Sequence, residues 1–161
     1  MRQGDENPND KPECCCNKSA DSVQHDFNLT AKIDFVSSPR FVIFSQVFAA
    51  SEGCQYNFRA INLGGTNNPY SIYVCGQSGC VEMDGHYVPG SLFTLQLSAS
   101  NNVVKVNYKN LVSQAVWQKD MPLVPYNDYY YKAGSYCQVT TSTDPANAYC
   151  QVTFNALSVT W

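Results

Sequence analysis

The run Tyr130-Tyr131-Lys132-Ala133-Gly134-Ser135-Tyr136-Cys137-Gln138 gathers phenols, an amide and an ammonium into one short stretch. In a β-strand successive side chains alternate between faces, so Tyr130, Lys132, Tyr136 and Gln138 share one face. Three of these can hydrogen-bond a sugar, and the fourth is a cation. Gly134 lies between Lys132 and Tyr136 on that face and leaves the phenol open to a ligand. The row suits the floor of a carbohydrate cleft. It equally suits a Tyr-rich, solvent-facing strand whose lysine stem lies along its neighbours. A second chemical pattern is Glu82-Met83-Asp84, where alternation would set two carboxylates on one face. Glycoside hydrolysis needs such a pair across the scissile bond.

These groups need a rigid frame, and the rest of the chain reads as strands. Phe27, Leu29, Ala31, Ile33 and Phe35 alternate with Asn28, Thr30, Lys32 and Asp34, the pattern of a half-buried strand. Ser37-Ser38-Pro39 supplies a turn, and Phe41–Ala49 reads as a second strand. Further strands are expected at Tyr56–Ile61, Tyr70–Cys75, Val81–Met83, Leu92–Ser98, Val103–Tyr108, Val112–Gln118, Asp128–Gln138 and Gln151–Thr160. Gly64-Gly65, Asn67-Asn68-Pro69, Pro89-Gly90 and Asn101-Asn102 punctuate them. No long stretch carries a helical period. The expected fold is all-β, a jelly-roll β-sandwich of two antiparallel sheets with a concave substrate groove. Residues 1–24 are polar and read as an irregular, cysteine-containing arm, and residues 25–161 as a single domain.

Composition narrows the class of ligand. With 14% charged residues, 13% aromatic residues and a net charge of -3, the chain has no field that would draw phosphate backbones. Neither a nucleic-acid partner nor a membrane partner is expected, and any polyanion must meet local positive charge. Eight cysteines in 161 residues point to an oxidising compartment. Cys75 and Cys80 enclose a turn-forming Gly-Gln-Ser-Gly, and Cys137 and Cys150 flank a polar stretch containing Pro145, so both pairs read as bridges across hairpins. Cys14, Cys15, Cys16 and Cys54 would then tie the amino-terminal arm to the body. The contiguous cysteines lack the spacing with which two thiolates grip one zinc ion, so no metal is expected. Asn17-Lys18-Ser19 and Asn28-Leu29-Thr30 match the glycosylation sequon. No leader or membrane-spanning run is visible, and the expectation of a secreted, extracellular protein rests on the cysteines.

The 130–138 run resembles the Tyr-Phe-Lys-Ala-Gly-x-Tyr-x-Gln signature of the family 7 alginate lyases and their jelly-roll relatives, with Tyr131 in place of Phe. The resemblance extends more weakly along most of the chain, through the strand at Leu29–Phe35, a Gln-bearing strand, the Phe93–Val106 hairpin and the closing Val152–Val159 strand. It implies an enzyme that cuts 1,4-linked polyuronates by β-elimination, needing no cofactor, with an acidic polysaccharide as partner and a monomer as its working state. Tyr136 would then be the catalytic tyrosine and Lys132 its cationic neighbour, since an ammonium close by favours the phenolate of a tyrosine whose reference pKa is about 10.

The family's Gln-Ile/Val-His signature falls on Gln46-Val47-Phe48, which keeps the glutamine and replaces the histidine. In the family that histidine accompanies anti-elimination of guluronate, whereas mannuronate is served syn by the tyrosine alone. Phe48 therefore implies a mannuronate preference, or loss of activity. His86 would replace the missing base if its loop folded into the cleft. The family's Arg-Ser/Thr-Glu-Leu-Arg strand has a poor counterpart here at Arg2, and Arg59 is the preferred substitute for a carboxylate-binding arginine. Substrate contacts are thus expected from Arg59, Tyr130, Gln138, Arg2 and His86, with Tyr136, Lys132 and Gln46 at the chemistry. Two other readings stand beside this one. The first is a non-catalytic carbohydrate-binding or cell-surface protein using the same groove. The second is a jelly-roll glycoside hydrolase of the laminarinase type, working through Glu82 and Asp84.

Overall fold

The computed structural model describes residues 23–64, 68–125, 129–139 and 144–160. They form ten strands, β1 (His25–Val36), β2 (Phe41–Ala49), β3 (Gly53–Ile61), β4 (Tyr70–Gly76), β5 (Gly79–Tyr87), β6 (Phe93–Ser100), β7 (Val103–Asn110), β8 (Val116–Pro122), β9 (Tyr129–Cys137) and β10 (Cys150–Thr160). They make two antiparallel five-stranded sheets, ordered β10-β1-β6-β7-β8 and β5-β4-β3-β2-β9. The architecture is the expected jelly-roll sandwich. Arg2, Cys14, Cys15, Cys16 and the Asn17 sequon lie outside the described residues.

Each sheet buries the apolar half of its alternating strands against the other. In the first sheet Leu29, Leu95, Tyr108 and Trp117 stand in one cross-strand row and Phe27, Leu97 and Val106 in the next. From the second sheet Val42, Phe44, Val47, Phe58, Ala60, Ile72 and Val74 meet them. Phe93 lies at the centre, its ring 5.2 Å from Phe44, 5.5 Å from Tyr108 and 5.9 Å from Tyr87. Tilted and edge-on contacts of this kind favour aromatic pairs beyond the area they bury.

Polar groups inside the sandwich are paired across it. The Tyr87 hydroxyl accepts from the Ile33 amide at 2.8 Å and donates to the Ser91 carbonyl, and burial drives its pKa far above the ordinary tyrosine value. Asp84, 6% exposed, accepts from the Tyr108 hydroxyl and the Asn110 amide, each at 3.0 Å. Satisfied in this way, these groups tie the two sheets together without an orphaned donor.

Three departures from the sequence-based expectation have physical causes. β8 begins at Val116 and not at Val112, because the Asn110 side-chain carbonyl accepts from the Val112 and Ser113 amides. That Asx turn, with Gln114 at φ 64°, takes the apolar Leu111-Val112 pair out of any strand. Cys137 and Cys150 are bonded as expected, yet they do not bridge a hairpin. β9 and β10 belong to opposite sheets, so this disulfide staples the sandwich at its edge, whereas Cys75–Cys80 does close the β4–β5 hairpin. Cys54, expected to bond the amino-terminal cysteines, is a free thiol.

Candidate active site

The outward face of the β5-β4-β3-β2-β9 sheet carries the residues singled out above, and a β-bulge decides which of them. Along β2 the core positions are Val42, Phe44, Val47 and Ala49, a spacing that skips one residue between Phe44 and Val47. The register against β3 slips at the same place, between Ile43 and Ser45. An extra residue reverses the alternation beyond it. Without the bulge Gln46 would point into the core; with it, Gln46 and Phe48 face outward. The Ser45 hydroxyl, fully buried, donates to the Lys132 carbonyl at 3.1 Å and fixes β9 to the bulge.

Two cross-strand rows result. Tyr136 of β9, Ile43 of β2, Arg59 of β3, Tyr73 of β4 and Glu82 of β5 form the first. Lys132, Gln46, Asn57, Cys75 and Cys80 form the second. Tyr130, Phe48 and Cys54 continue beyond Lys132. The structure therefore brings Tyr136, Lys132, Gln46, Arg59 and Tyr130 onto one face, as alternation implied for Tyr130, Lys132 and Tyr136 and as the bulge brings about for Gln46. Gln138 follows the strand, where its amide nitrogen meets the Tyr136 carbonyl at 3.4 Å. His86 lies apart from them, exposed on β5, the opposite edge strand of the sheet. Four strand spacings separate it from β9, roughly 19 Å. It is part of a strand and not of a loop that folds over the cleft.

Gly134 has a different use from the one expected. The Tyr136 ring lies back over it, so a Cβ at position 134 would stand 2.8 Å from Cε2 and 3.2 Å from the phenol oxygen. The absent side chain makes room for the catalytic candidate itself and tips its hydroxyl along the strand toward Lys132. Gly134→Ala is expected to displace the ring by a few tenths of an ångström or more and to lower turnover roughly 10- to 100-fold. The melting temperature should hardly move, since the position has ordinary β backbone. Parallel melts and initial rates check this, and undiminished turnover would show that the phenol's placement is immaterial.

The Lys132 ammonium sits 4.0 Å from the Phe48 ring centroid and 5.4 Å from that of Tyr130, a cation–π seat that fixes its position. Arg59 places its guanidinium 4.6 Å from the Phe41 ring and donates from Nε to Asn57 Oδ1 at 2.8 Å. Partial burial lowers its pKa without discharging it. The Gln46 amide donates to Cys54 Sγ at 3.3 Å. Burial pushes the Cys54 thiol up, against hydrogen bonds from Gln46 and Asn57 and the charges of Lys132 and Arg59. Asn57 was not singled out in the sequence, although it stands two residues before Arg59 and so on its face, and Cys54 was read there only as a disulfide partner of the amino-terminal arm.

The proposed carboxylate pair on β5 is not formed. Register slips between Ile72 and Tyr73, opposite Glu82 and Asp84, and this bulge turns Asp84 inward to Tyr108 and Asn110 while Glu82 stays outward on Tyr73. Two carboxylates on opposite faces of one sheet cannot flank a glycosidic bond, which removes the hydrolase reading. An open cavity of about 260 Å³, lined by Gln55, Tyr56, Gln77, Ser78 and residues 122–124, lies at the β4–β5 turn, away from the candidate residues.

Comparison with known proteins agrees with this fold. The alginate lyase family model matches residues 15–161. The alginate lyase of Corynebacterium sp. superposes with a TM-score of 0.71 at 22% identity, over 91% of this chain and 60% of that one. An alginate lyase of polysaccharide lyase family 7, AlgAT5, gives 0.71 at 23% identity over 88% and 60%. The Klebsiella pneumoniae alginate lyase gives 0.71 at 19% over 86% and 60%. The chain thus spans about 60% of the length of these structures. No curated protein sequence is a significant match. At these identities the structures establish the shared fold, and the family model, matching nearly the whole chain, establishes descent: the chain belongs to the alginate lyase family.

Proposed function

We propose that this protein is a secreted polysaccharide lyase that cleaves 1,4-linked polyuronate by β-elimination, with mannuronate the preferred unit and Tyr136 as both base and acid. The observation that carries this reading is the shared outward face of Tyr136, Lys132, Gln46 and Arg59. In the reaction the Tyr136 oxygen takes the proton from C5. The electron pair of that C–H bond becomes the C4–C5 double bond as the C4–O4 bond breaks, and the departing oxygen receives a proton from the same phenol. Negative charge that builds on the C5 carboxylate is met by the Gln46 amide and the Arg59 guanidinium. Lys132, seated beside the Tyr130 and Phe48 rings, adds positive charge on the side toward which the phenol leans.

Mannuronate preference follows from Phe48. A syn elimination asks one group to serve one side of the ring, and Tyr136 can do so alone. An anti elimination needs a second base on the opposite side, and Phe48, where the family signature has histidine, has no proton to exchange. Two disulfides support an oxidising, extracellular setting. The test is ultraviolet absorbance of the unsaturated uronate, followed separately on polymannuronate, polyguluronate and glucuronan. A rise on polymannuronate alone is the expected result. A rise chiefly on polyguluronate would refute the tyrosine-only mechanism, and binding without a rise on any polymer would make the protein a carbohydrate-binding module.

A further inference from the structure

The row Tyr136, Ile43, Arg59, Tyr73 and Glu82 crosses all five strands, and its charge changes sign along the way. Strands in a sheet lie about 4.8 Å apart, close to the length of one pyranose unit, so a polysaccharide lying along the row places about one sugar over each strand. Among the described residues, the positive charge on this face lies on the β9-β2-β3 side, in Lys132 and Arg59. Neither β4 nor β5 contains a lysine or arginine, and β5 contributes Glu82.

Glu82 is exposed, yet it is a seated group. Its Oε2 accepts from the Tyr73 hydroxyl at 2.9 Å. A Cβ on Gly85 would lie 2.5 Å from its Oε1 and 3.0 Å from its carboxyl carbon, so the carboxylate occupies space that exists because residue 85 is glycine. The Cys75–Cys80 disulfide beside it pins β5 to β4 and gives this end of the row a fixed, uncharged floor. A held carboxylate repels another carboxylate placed upon it and accepts hydrogen bonds from sugar hydroxyls through its remaining lone pairs.

We propose that Glu82 is a specificity-determining residue that ends the polyuronate track at β5, selecting there against a sugar that bears a carboxylate. The inference rests on the lyase reading for what fills the Tyr136 end. In a homopolymer of mannuronate, affinity should therefore grow with chain length only until the chain reaches β5.

Calorimetric titration of the turnover-deficient Tyr136→Phe protein, with and without Glu82→Gln, against mannuronate oligomers from dimer to hexamer tests this. Glutamine keeps the shape and the Tyr73 contact and removes the charge. Dimers should bind both proteins equally. The hexamer should bind Glu82→Gln about fivefold more tightly at low salt, and the gap should close near 0.5 M salt, as screening requires. Coincident curves at every length, or a gain already complete with the dimer, would overturn the proposal. Failure of the lyase reading would appear elsewhere, as absent turnover by the wild-type protein with these binding curves unchanged.

Discussion

Replacement of Tyr136 by phenylalanine is expected to lower turnover of polymannuronate by at least about 10³-fold, because one hydroxyl performs both proton transfers and each such transfer contributes about 10²- to 10⁴-fold. The change is small in every other respect. The ring keeps its place over Gly134, Cys137 keeps its bond to Cys150, and Lys132 keeps its seat on Phe48. Affinity for an oligomannuronate should change no more than threefold or so, the scale of one exposed hydrogen bond. Initial rates by ultraviolet absorbance and calorimetric binding to tetramannuronate, measured on the same preparation, separate the two quantities. Turnover within tenfold of the parent would remove Tyr136 from the chemistry. Loss of binding in step with turnover would make it an affinity residue.

How much of this was legible beforehand depends on where the alternation of strands holds. In β9 the register against β2 slips between Tyr136 and Ala133, yet Tyr136 and Lys132 remain four residues apart and so on one face with Tyr130, as spacing alone had placed them. Alternation holds along β1, whose buried and half-buried residues alternate from His25 to Ile33. It breaks wherever a residue is inserted, and there the reading failed or succeeded by accident. Glu82 and Asp84 look like a pair in sequence, yet the bulge between them sends one to solvent and the other to the core. Gln46 was placed by family resemblance, while the physical reason it reaches the site is the bulge at Phe44-Ser45. That bulge did leave a trace, the two residues, Ser45 and Gln46, that separate Phe44 from Val47 where regular alternation would have one. The partner sheet of each strand left none. Cys137 and Cys150 are close in sequence whether they close a hairpin or cross between sheets, and only the topology of the whole chain tells the two apart.

That topology sets the second large effect. Among the described residues β9 is an edge strand, hydrogen-bonded to β2, and Tyr136 is the residue before the disulfide that holds its end to the opposite sheet. Substituting both Cys137 and Cys150 with serine frees a closed loop of 13 residues in the unfolded chain, which corresponds to about 3 kcal/mol of lost stability. For a domain of this size the melting temperature should fall by roughly 6–12 °C. The Cys75/Cys80 double-serine protein is the matched control. Its loop spans only five residues, the expected loss is nearer 2 kcal/mol, and its hairpin is already joined by cross-strand pairs from Tyr73 to Gly76. The two variants should differ further in how they fail. Without Cys137–Cys150 the end of β9 can open locally before the sandwich melts, so amide exchange should quicken at residues 133–137 and turnover should decline at temperatures where far-ultraviolet circular dichroism is still native. In the control, turnover and structure should be lost together. A Cys137/Cys150 variant melting within 2 °C of the parent, with unchanged exchange in β9, would show that the β2 pairing and the Ser45 contact suffice to hold the strand.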